Sequence, residues 1–386
     1  MEFPINGLGN QAKLSNLKVR QLRNLASIEF QASPTINVFH GDNGQGKTNM
    51  LEGIAIASGL RPLRSVQRYR DLVMNGQQEA HLHALFTGND SFTVDLSLGL
   101  KGKQLQLSGK PLKDSAQLME RLATVSFVPD DMNMVMGSGS FRRRALDQLA
   151  FGLFPAHVSI CRRYERALSQ RNALLKAEFF DRHVYASYTE LLVEHATLLT
   201  DYRLRALQVF MPFFRQTLSS LNQNKFSIKL TYTHSLASDQ DSKLTSDLEA
   251  FDVNEYQNQL KVALSKREFE ERRRKVTVAG PHLDDLLIDL NDASAQKTAS
   301  RGQARTMVLA FKIAHLLAVV AERKLTPLLL LDDVMSELDP HHAQSLMHTV
   351  AELGAQTFIT TASLNTLPLP ADIKPACFEI RAGAIF

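Results

Sequence analysis

At 386 residues the chain exceeds one ordinary domain, so two lobes are expected. A composition of 44% hydrophobic and 22% charged residues excludes a disordered or fibrous chain, and only two cysteines, Cys161 and Cys377, exclude a disulfide framework and fit a reducing cytoplasm. The net charge of +4 is a mild bias, so a nucleic-acid partner has to be argued from clustering; no apolar run reads as a membrane span and no signal-peptide pattern opens the chain.

The first informative element is a short β-prone run containing Ile36, Val38 and Phe39. It leads into Gly41-Asp42-Asn43-Gly44-Gln45-Gly46-Lys47-Thr48, the full phosphate-loop pattern G-x-x-x-x-G-K-[ST], and a helix beginning near Asn49 follows. Glycines let backbone N–H groups curl around phosphates, and the helix N-terminus adds partial positive charge. Lys47 is expected at the β- and γ-phosphates and Thr48 at Mg²⁺. A Gly-rich turn without a ligand is the plainer alternative. Arg61, Arg64, Arg68 and Arg70 come next, a first basic cluster.

The middle of the chain reads as a separate, mainly helical lobe. From Phe141 to about Leu221 apolar residues recur at helical spacing, with breaks expected at Pro155 and near Pro212. Phe226–Tyr232 alternates like a strand, and helix is expected to resume from Asn254 to Lys275. Further basic clusters fall here: Arg142, Arg143 and Arg144; Arg162, Arg163, Arg166 and Arg171; and Lys266, Arg267, Arg272, Arg273, Arg274 and Lys275. Such clusters suit phosphate neutralisation, although Glu268, Glu270 and Glu271 beside the last one equally suit a solvated helix face. Thr277 and Val278 lead back to the first lobe ahead of a strand expected over Leu286–Leu290.

Ser300 stands where an N-cap belongs, ahead of a mostly apolar helix expected from Gln303 to Lys324, and Gly302 allows close backbone approach. The helix start is a second anion site or simply a cap. Thr326-Pro327 ends the helix, and Leu328-Leu329-Leu330-Leu331-Asp332-Asp333 reads as a buried parallel strand ending in two carboxylates. Asp332 is the candidate Mg²⁺ holder and Asp333 the candidate for orienting water; a Leu-rich strand that merely ends in a turn would look similar.

In order, these pieces resemble the ATP-binding-cassette class and, within it, the RecF family of bacterial DNA-repair proteins. The resemblance rests on Gly41–Asn49, Ser300-Arg301-Gly302-Gln303 as signature, and Leu331–Asp339 as acidic strand end and following loop. Leu22-Arg23-Asn24, Arg142–Asp147, Gly280–Leu286 and Gln356–Thr361 also resemble family segments. It covers roughly Leu17 to Thr361 and implies an α/β fold, an ATP-binding-cassette P-loop ATPase head with an inserted mainly α-helical lobe. The expected layout is an extension over 1–16, a head over 17–140 and 276–386, and the insertion over 141–275.

What the resemblance implies goes beyond the residues. Two head-to-tail copies bury two ATPs, and Ser300 and the Gly302 amide of one copy reach the γ-phosphate held by the other; Gln303 belongs to the same signature and Asp339 lies near the dyad. Arg23 and Asn24 touch the nucleotide, and Mg²⁺ accompanies it. ATP then acts as a timed glue for a homodimer on duplex DNA beside single-stranded gaps, where the family helps RecO and RecR place RecA, with no membrane involved. The chain departs from the wider class at Asp333, where Glu is usual, which suggests slow turnover. Thr360 or Thr361 occupies the region of a customary histidine, Leu283 replaces an arginine, and Phe127–Asp131 stands where a glutamine loop is expected. A transporter ATPase subunit leaves the helical insertion and the arginines unexplained, and a P-loop kinase or transferase leaves Ser300–Gln303 unexplained.

Overall fold

The computed structural model describes residues 12–64, 66, 68–223, 225–236, 251–336, 338–364, 367, 369 and 374–386, arranged in two compact units. Glu337 and residues 1–11 of the expected extension lie outside the described residues. The first unit runs to Asp131 and takes in Gln216–Leu221 and Arg305–Phe386; the second holds Met132–Arg215 and Asn222–Ala304.

In chain order, β1 (Lys13–Leu22), β2 (Leu25–Gln31) and β3 (Ile36–His40) lead to α1 (Lys47–Ala57). Then come β4 (Glu79–Thr87), β5 (Phe92–Gly99), β6 (Gly102–Leu107), β7 (Lys110–Leu112), α2 (Ala116–Arg121) and β8 (Thr124–Phe127). The helical stretch comprises α3 (Asn133–Met136), α4 (Gly139–Leu153), α5 (Ala156–Lys176) and α6 (Arg182–Asn222). It continues with β9 (Ile228–Thr233), α7 (Val253–Lys266), α8 (Glu268–Arg274), β10 (Asp285–Leu290), β11 (Ala293–Ser294) and α9 (Ala295–Thr298). The chain closes with α10 (Arg301–Arg323), β12 (Leu328–Asp332), α11 (Pro340–Leu353), β13 (Thr357–Thr361), β14 (Ala376–Arg381) and β15 (Ala384–Ile385).

The first unit holds two six-stranded sheets. One is antiparallel, in the order β2-β1-β4-β5-β6-β7, and buries alternate residues such as Leu17 and Val19 while Lys18 and Arg20 stay exposed. The other runs β15-β14-β3-β13-β12-β8, and its five strands from β14 to β8 pair in parallel. Every residue of β12 and β13 is buried, as expected of strands covered on both faces: four leucines precede Asp332 in β12, and β13 interleaves Phe358 and Ile359 with three threonines. Gln356 ties the sheets, accepting from the Leu14 N–H at 2.8 Å and donating to the carbonyls of Leu14 and Ser33. The first strand begins at Lys13, within the segment read as an extension, and β14 and β15 lie beyond Thr361, where the family resemblance ends.

The second unit packs α4, α5, the first part of α6, α7 and α8 with the small sheet β11-β10-β9. Its buried centre is an ion pair. Arg171 donates to both carboxylate oxygens of Glu271 at 3.1 and 2.6 Å, and also to Tyr185, Thr189 and Thr277. Two ions without water need this full set of partners.

Some sequence expectations change. Pro212 does not break a helix: α6 runs through it without interruption for 41 residues. The lost hydrogen bond is offset by burial of the neighbouring Phe210 and Phe214, whose rings stack at 5.3 Å. The helix expected over Asn254–Lys275 is two helices, because Arg267 leaves helical geometry and turns its guanidinium to the carbonyls of Ser235, Leu236 and Val278. By length and composition α10 is apolar enough to cross a membrane, contrary to the reading of the apolar runs, but 89% of that window is buried in protein, as in a core helix.

Candidate nucleotide-binding site

The phosphate loop links β3 to α1, and its backbone explains its glycines. Gly41, Gly44 and Gly46 all have positive φ, at 135°, 80° and 118°. A Cβ on Gly41 would lie 2.5 Å from the Ile380 carbonyl and one on Gly46 2.9 Å from Asn24 Oδ1, whereas one on Gly44 meets nothing within 4 Å. The loop is therefore pressed against protein at its two ends and open at its middle. Asp42 and Asn43 are exposed there.

Supports come from both sheets. Asn24 donates to the Gln45 carbonyl at 3.1 Å and accepts from Asn49 at 2.7 Å. The turn between β14 and β15 donates to Gln45 twice, from Gly383 N to its carbonyl and from Ala382 N to Oε1. Arg23 sits in the left-handed region at φ 54° and donates to the fully buried Glu52 at 3.0 Å. Arg64 reaches the same Glu52 oxygen at 3.0 Å and also bonds Asn49. In this structure Arg23 thus braces α1 through Glu52, while Asn24 braces the loop.

Lys47 is 7% exposed and donates to the carbonyls of Gly41 and Asp42 at 2.6 and 2.8 Å. Its ammonium is folded into the curl of the loop. Thr48 donates to Asp332 Oδ1 at 2.8 Å, and Thr360, at the facing register of β13, donates to the same oxygen at 2.8 Å. Burial pushes the Asp332 carboxyl above the usual carboxylate range, against the pull of these two hydroxyls. Asp333 has φ 50°, and its N–H donates to Thr360 Oγ1 at 2.9 Å. The hydroxyl of Thr48 and the carboxylate of Asp332 are hard oxygen donors side by side, a pair that fits Mg²⁺.

Ser300, Gly302 and Gln303 lie in the second unit. Ser300 Oγ accepts from the Gln303 N–H at 3.2 Å, and Gln303 Oε1 accepts from the Ser300 N–H at 2.9 Å: a reciprocal capping box at the start of α10. A Cβ on Gly302 would meet only Ser300 Oγ, at 4.0 Å. The box uses a lone pair of the Ser300 hydroxyl, and a hydroxyl keeps its own proton to donate. Asp339 caps α11, accepting from the N–H groups of His341 and His342 at 3.1 Å each.

Other quoted segments join each other within the second unit. Arg142 grips Asp285 at 2.8 and 2.7 Å, Arg143 donates to the Asp284 carbonyl, and Arg203 bridges Asp147 to the Pro281 carbonyl. Arg142, Arg143, Arg171 and Arg267 are therefore spent on internal partners. Arg162, Arg163, Arg166, Arg272, Arg273, Arg274 and Lys275 are exposed, with Arg274 paired to Glu270 at 2.8 Å and Arg272 lying over the Phe180 ring. Sequence reading did not foresee the parts played by Thr360, Glu52, Gln45 and the β14–β15 turn. Each acts through a fold contact that no local pattern announces.

A phosphate loop after β3 and an acidic end on β12, two strands of one parallel sheet with β13 between them, give the fold of the RecF/SMC-head-like ATP-binding-cassette ATPases. The family model described as RecF/RecN/SMC N terminal domain matches residues 13–372. The chain is 36% identical over 377 residues to the DNA replication and repair protein RecF of Symbiobacterium thermophilum, covering 96% of this chain and 97% of that one. It is likewise 36% identical to the protein of that name from Anaeromyxobacter dehalogenans, covering 97% and 98%. A solved structure described as the recombination mediator protein RecF-ATPrS in the RecFOR pathway superposes with a TM-score of 0.83 at 25% identity, over 98% of this chain and 99% of that one. The chain belongs to the RecF family.

Proposed function

We propose that this chain is an ATP-gated DNA-binding protein of recombinational repair and replication-fork maintenance, and that ATP holds two copies together. The observation that carries the reading is the 2.8 Å bond from Thr48 to Asp332, which joins the phosphate loop to the acidic strand end within one protomer and so supports reading them as two halves of one nucleotide–Mg²⁺ site. Lys47 leaves the two loop carbonyls to meet the β- and γ-phosphates, and Thr48 and Asp332 hold Mg²⁺. Mg²⁺ neutralises phosphate charge when bound. Arg23, which braces α1 through Glu52, and Asn24, which braces the loop, also touch the nucleotide.

Catalysis is assigned to Lys47 and Asp333, and the shorter carboxylate at position 333 suits slow release. The capping box presents Ser300, with Gly302 and Gln303 beside it, to the γ-phosphate of a second copy, and Asp339 stands near the two-fold axis of that pair. Closure on ATP and opening after hydrolysis make the nucleotide a timer. Exposed arginines on α5 and α8 support binding to double-stranded DNA next to single-stranded gaps. RecR and RecO are the expected partners and RecA the indirect one, in the cytoplasm; the RecFOR pathway named for one solved relative supports RecO and RecR.

The test is fluorescence anisotropy of a gapped duplex titrated with protein in ATP, in ADP and without nucleotide. ATP is expected to tighten binding at least about tenfold for the wild type and not for Lys47→Ala. Equal affinity in all three conditions would refute the gating.

A further inference from the structure

Thr360 carries no charge, and the reaction outlined above gives it no task, yet its hydroxyl is used twice in the most critical corner of the site. It stands opposite Asp332 in the parallel register of β12 and β13 and is 1% exposed. The Asp333 N–H can only donate, so Thr360 Oγ1 accepts that bond at 2.9 Å. Its single proton then goes to Asp332 Oδ1 at 2.8 Å. The direction of both bonds is thus determined by valence.

The consequences differ for the two carboxylates. Asp332 receives two hydroxyls on one oxygen, Thr48 from the loop and Thr360 from the sheet, so its rotamer is held from both sides. Asp333 is held through its backbone. Its φ of 50° lies in the left-handed region that a side-chain-bearing residue seldom occupies, and the bond to Thr360 anchors the N–H on that side of the residue. Threonine suits the post because its β-branch restricts χ1, so the hydroxyl itself is pre-aimed.

We propose that Thr360 is a positioning residue that sets where Asp332 and Asp333 stand, and that it governs ATP hydrolysis more than ATP capture. The inference rests on the reading of Asp332 as Mg²⁺ holder and Asp333 as the water-orienting carboxylate. Its two bonds go to Asp332 and Asp333 rather than to Lys47, and it meets the phosphate loop through the Asp332 oxygen it shares with Thr48, so ATP capture and ATP-driven pairing at saturating Mg²⁺ survive its loss.

The experiment compares wild type, Thr360→Val and Thr360→Ser. Valine keeps the shape and loses both bonds; serine keeps the hydroxyl. Three quantities are measured: kcat and KM for ATP, the Mg²⁺ concentration that half-saturates binding of a fluorescent ATP analogue, and the lifetime of the ATP-held pair. For Thr360→Val, kcat is expected to fall about 10- to 100-fold with KM within about threefold. The Mg²⁺ half-saturation should rise severalfold and the pair should live longer. Thr360→Ser should return kcat to within about threefold of wild type, which a purely space-filling role would not demand. Unchanged kcat and Mg²⁺ half-saturation in Thr360→Val would overturn the proposal, as would a serine variant as slow as the valine one. A wild type that neither binds nor hydrolyses ATP would overturn the proposed function and this inference together; a competent wild type matched by Thr360→Val overturns the inference alone.

Discussion

Thr48 and Asp332 lie 284 positions apart in the chain and share a hydrogen bond of 2.8 Å. The bond closes a circuit through β3, the phosphate loop, α1 and β12 and ties one helix start to one strand end; in the proposed function the two form a single cradle for phosphate and Mg²⁺. Removal of the cationic partner should be felt first. Lys47→Ala should weaken ATP binding about 10- to 100-fold, the worth of a charge-assisted hydrogen bond of ~1.5–3 kcal/mol. Isothermal titration reads this directly, and unchanged affinity would mean that the nucleotide sits elsewhere.

Ser300→Arg should separate capture from pairing. The variant loses the box to Gln303, at a cost of about 1 kcal/mol at the helix start, and places a bulky cation where a second copy's phosphate would dock. ATP affinity should match wild type in equilibrium dialysis while the protein stays monomeric with ATP. Mixed with a Lys47 variant, it should restore at most one composite site. Normal pairing of Ser300→Arg alone would contradict the assignment.

Glu271→Ala should unfold the helical unit early. It strands the Arg171 guanidinium, which is 0% exposed, and loss of one member of a buried pair costs about 3–5 kcal/mol. Differential scanning calorimetry should show a lowered transition, whereas Arg163→Ala on the exposed face of α5 should leave it within about 0.5 kcal/mol.

His315 supplies a pH signature. Desolvation inside α10, aided by nearby Lys312, lowers its pKa from 6.5 to about 3. The unfolded chain therefore binds a proton that the folded chain refuses between those values. Stability contributed by the neutral ring is complete above pH 6.5 and is lost as pH falls toward 3. From pH 6.5 to 4.5 the wild type should lose about 2 kcal/mol more than His315→Leu. Parallel urea titrations at the two pH values check this, and equal losses would place the ring in contact with water.

Exposed and internally spent arginines should behave differently toward DNA. Replacing Arg162, Arg163 and Arg166 by Ala should reduce the slope of log affinity against log salt for duplex DNA by about 0.9 for each phosphate no longer neutralised. Arg142→Ala should cost stability through Asp285 and leave the slope unchanged. A slope indifferent to the α5 triple variant would move the DNA elsewhere.

Much of this site was legible because its residues announce themselves locally. Gly41–Thr48 fixes a loop by glycine conformations and a terminal Lys-Thr, and Leu328–Leu331, ahead of Asp332, are all apolar because both faces of a parallel strand are covered. Ser300 was legible as a cap, and Gln303 three residues on completes the box. The rest depends on long-range pairing. Nothing local marks Thr360 as the partner of Asp332, Glu52 as the anchor of Arg23 and Arg64, or Gly383 as a support for Gln45. Charge runs misled for the same reason: Arg142 and Arg171 look like surface cations until Asp285 and Glu271 are seen to meet them. Pro212 shows the reverse, a strong local signal overruled by buried aromatic packing.

The central claim is that ATP joins two copies of this chain, each phosphate loop completed by the other's Ser300. Sedimentation velocity of the wild type with a non-hydrolysable ATP analogue and Mg²⁺ tests it most directly. The account predicts a shift from the mass of one 43.1 kDa chain to twice that value, absent in Lys47→Ala and in Ser300→Arg. A protein saturated with the analogue that still sediments as a single chain would contradict it.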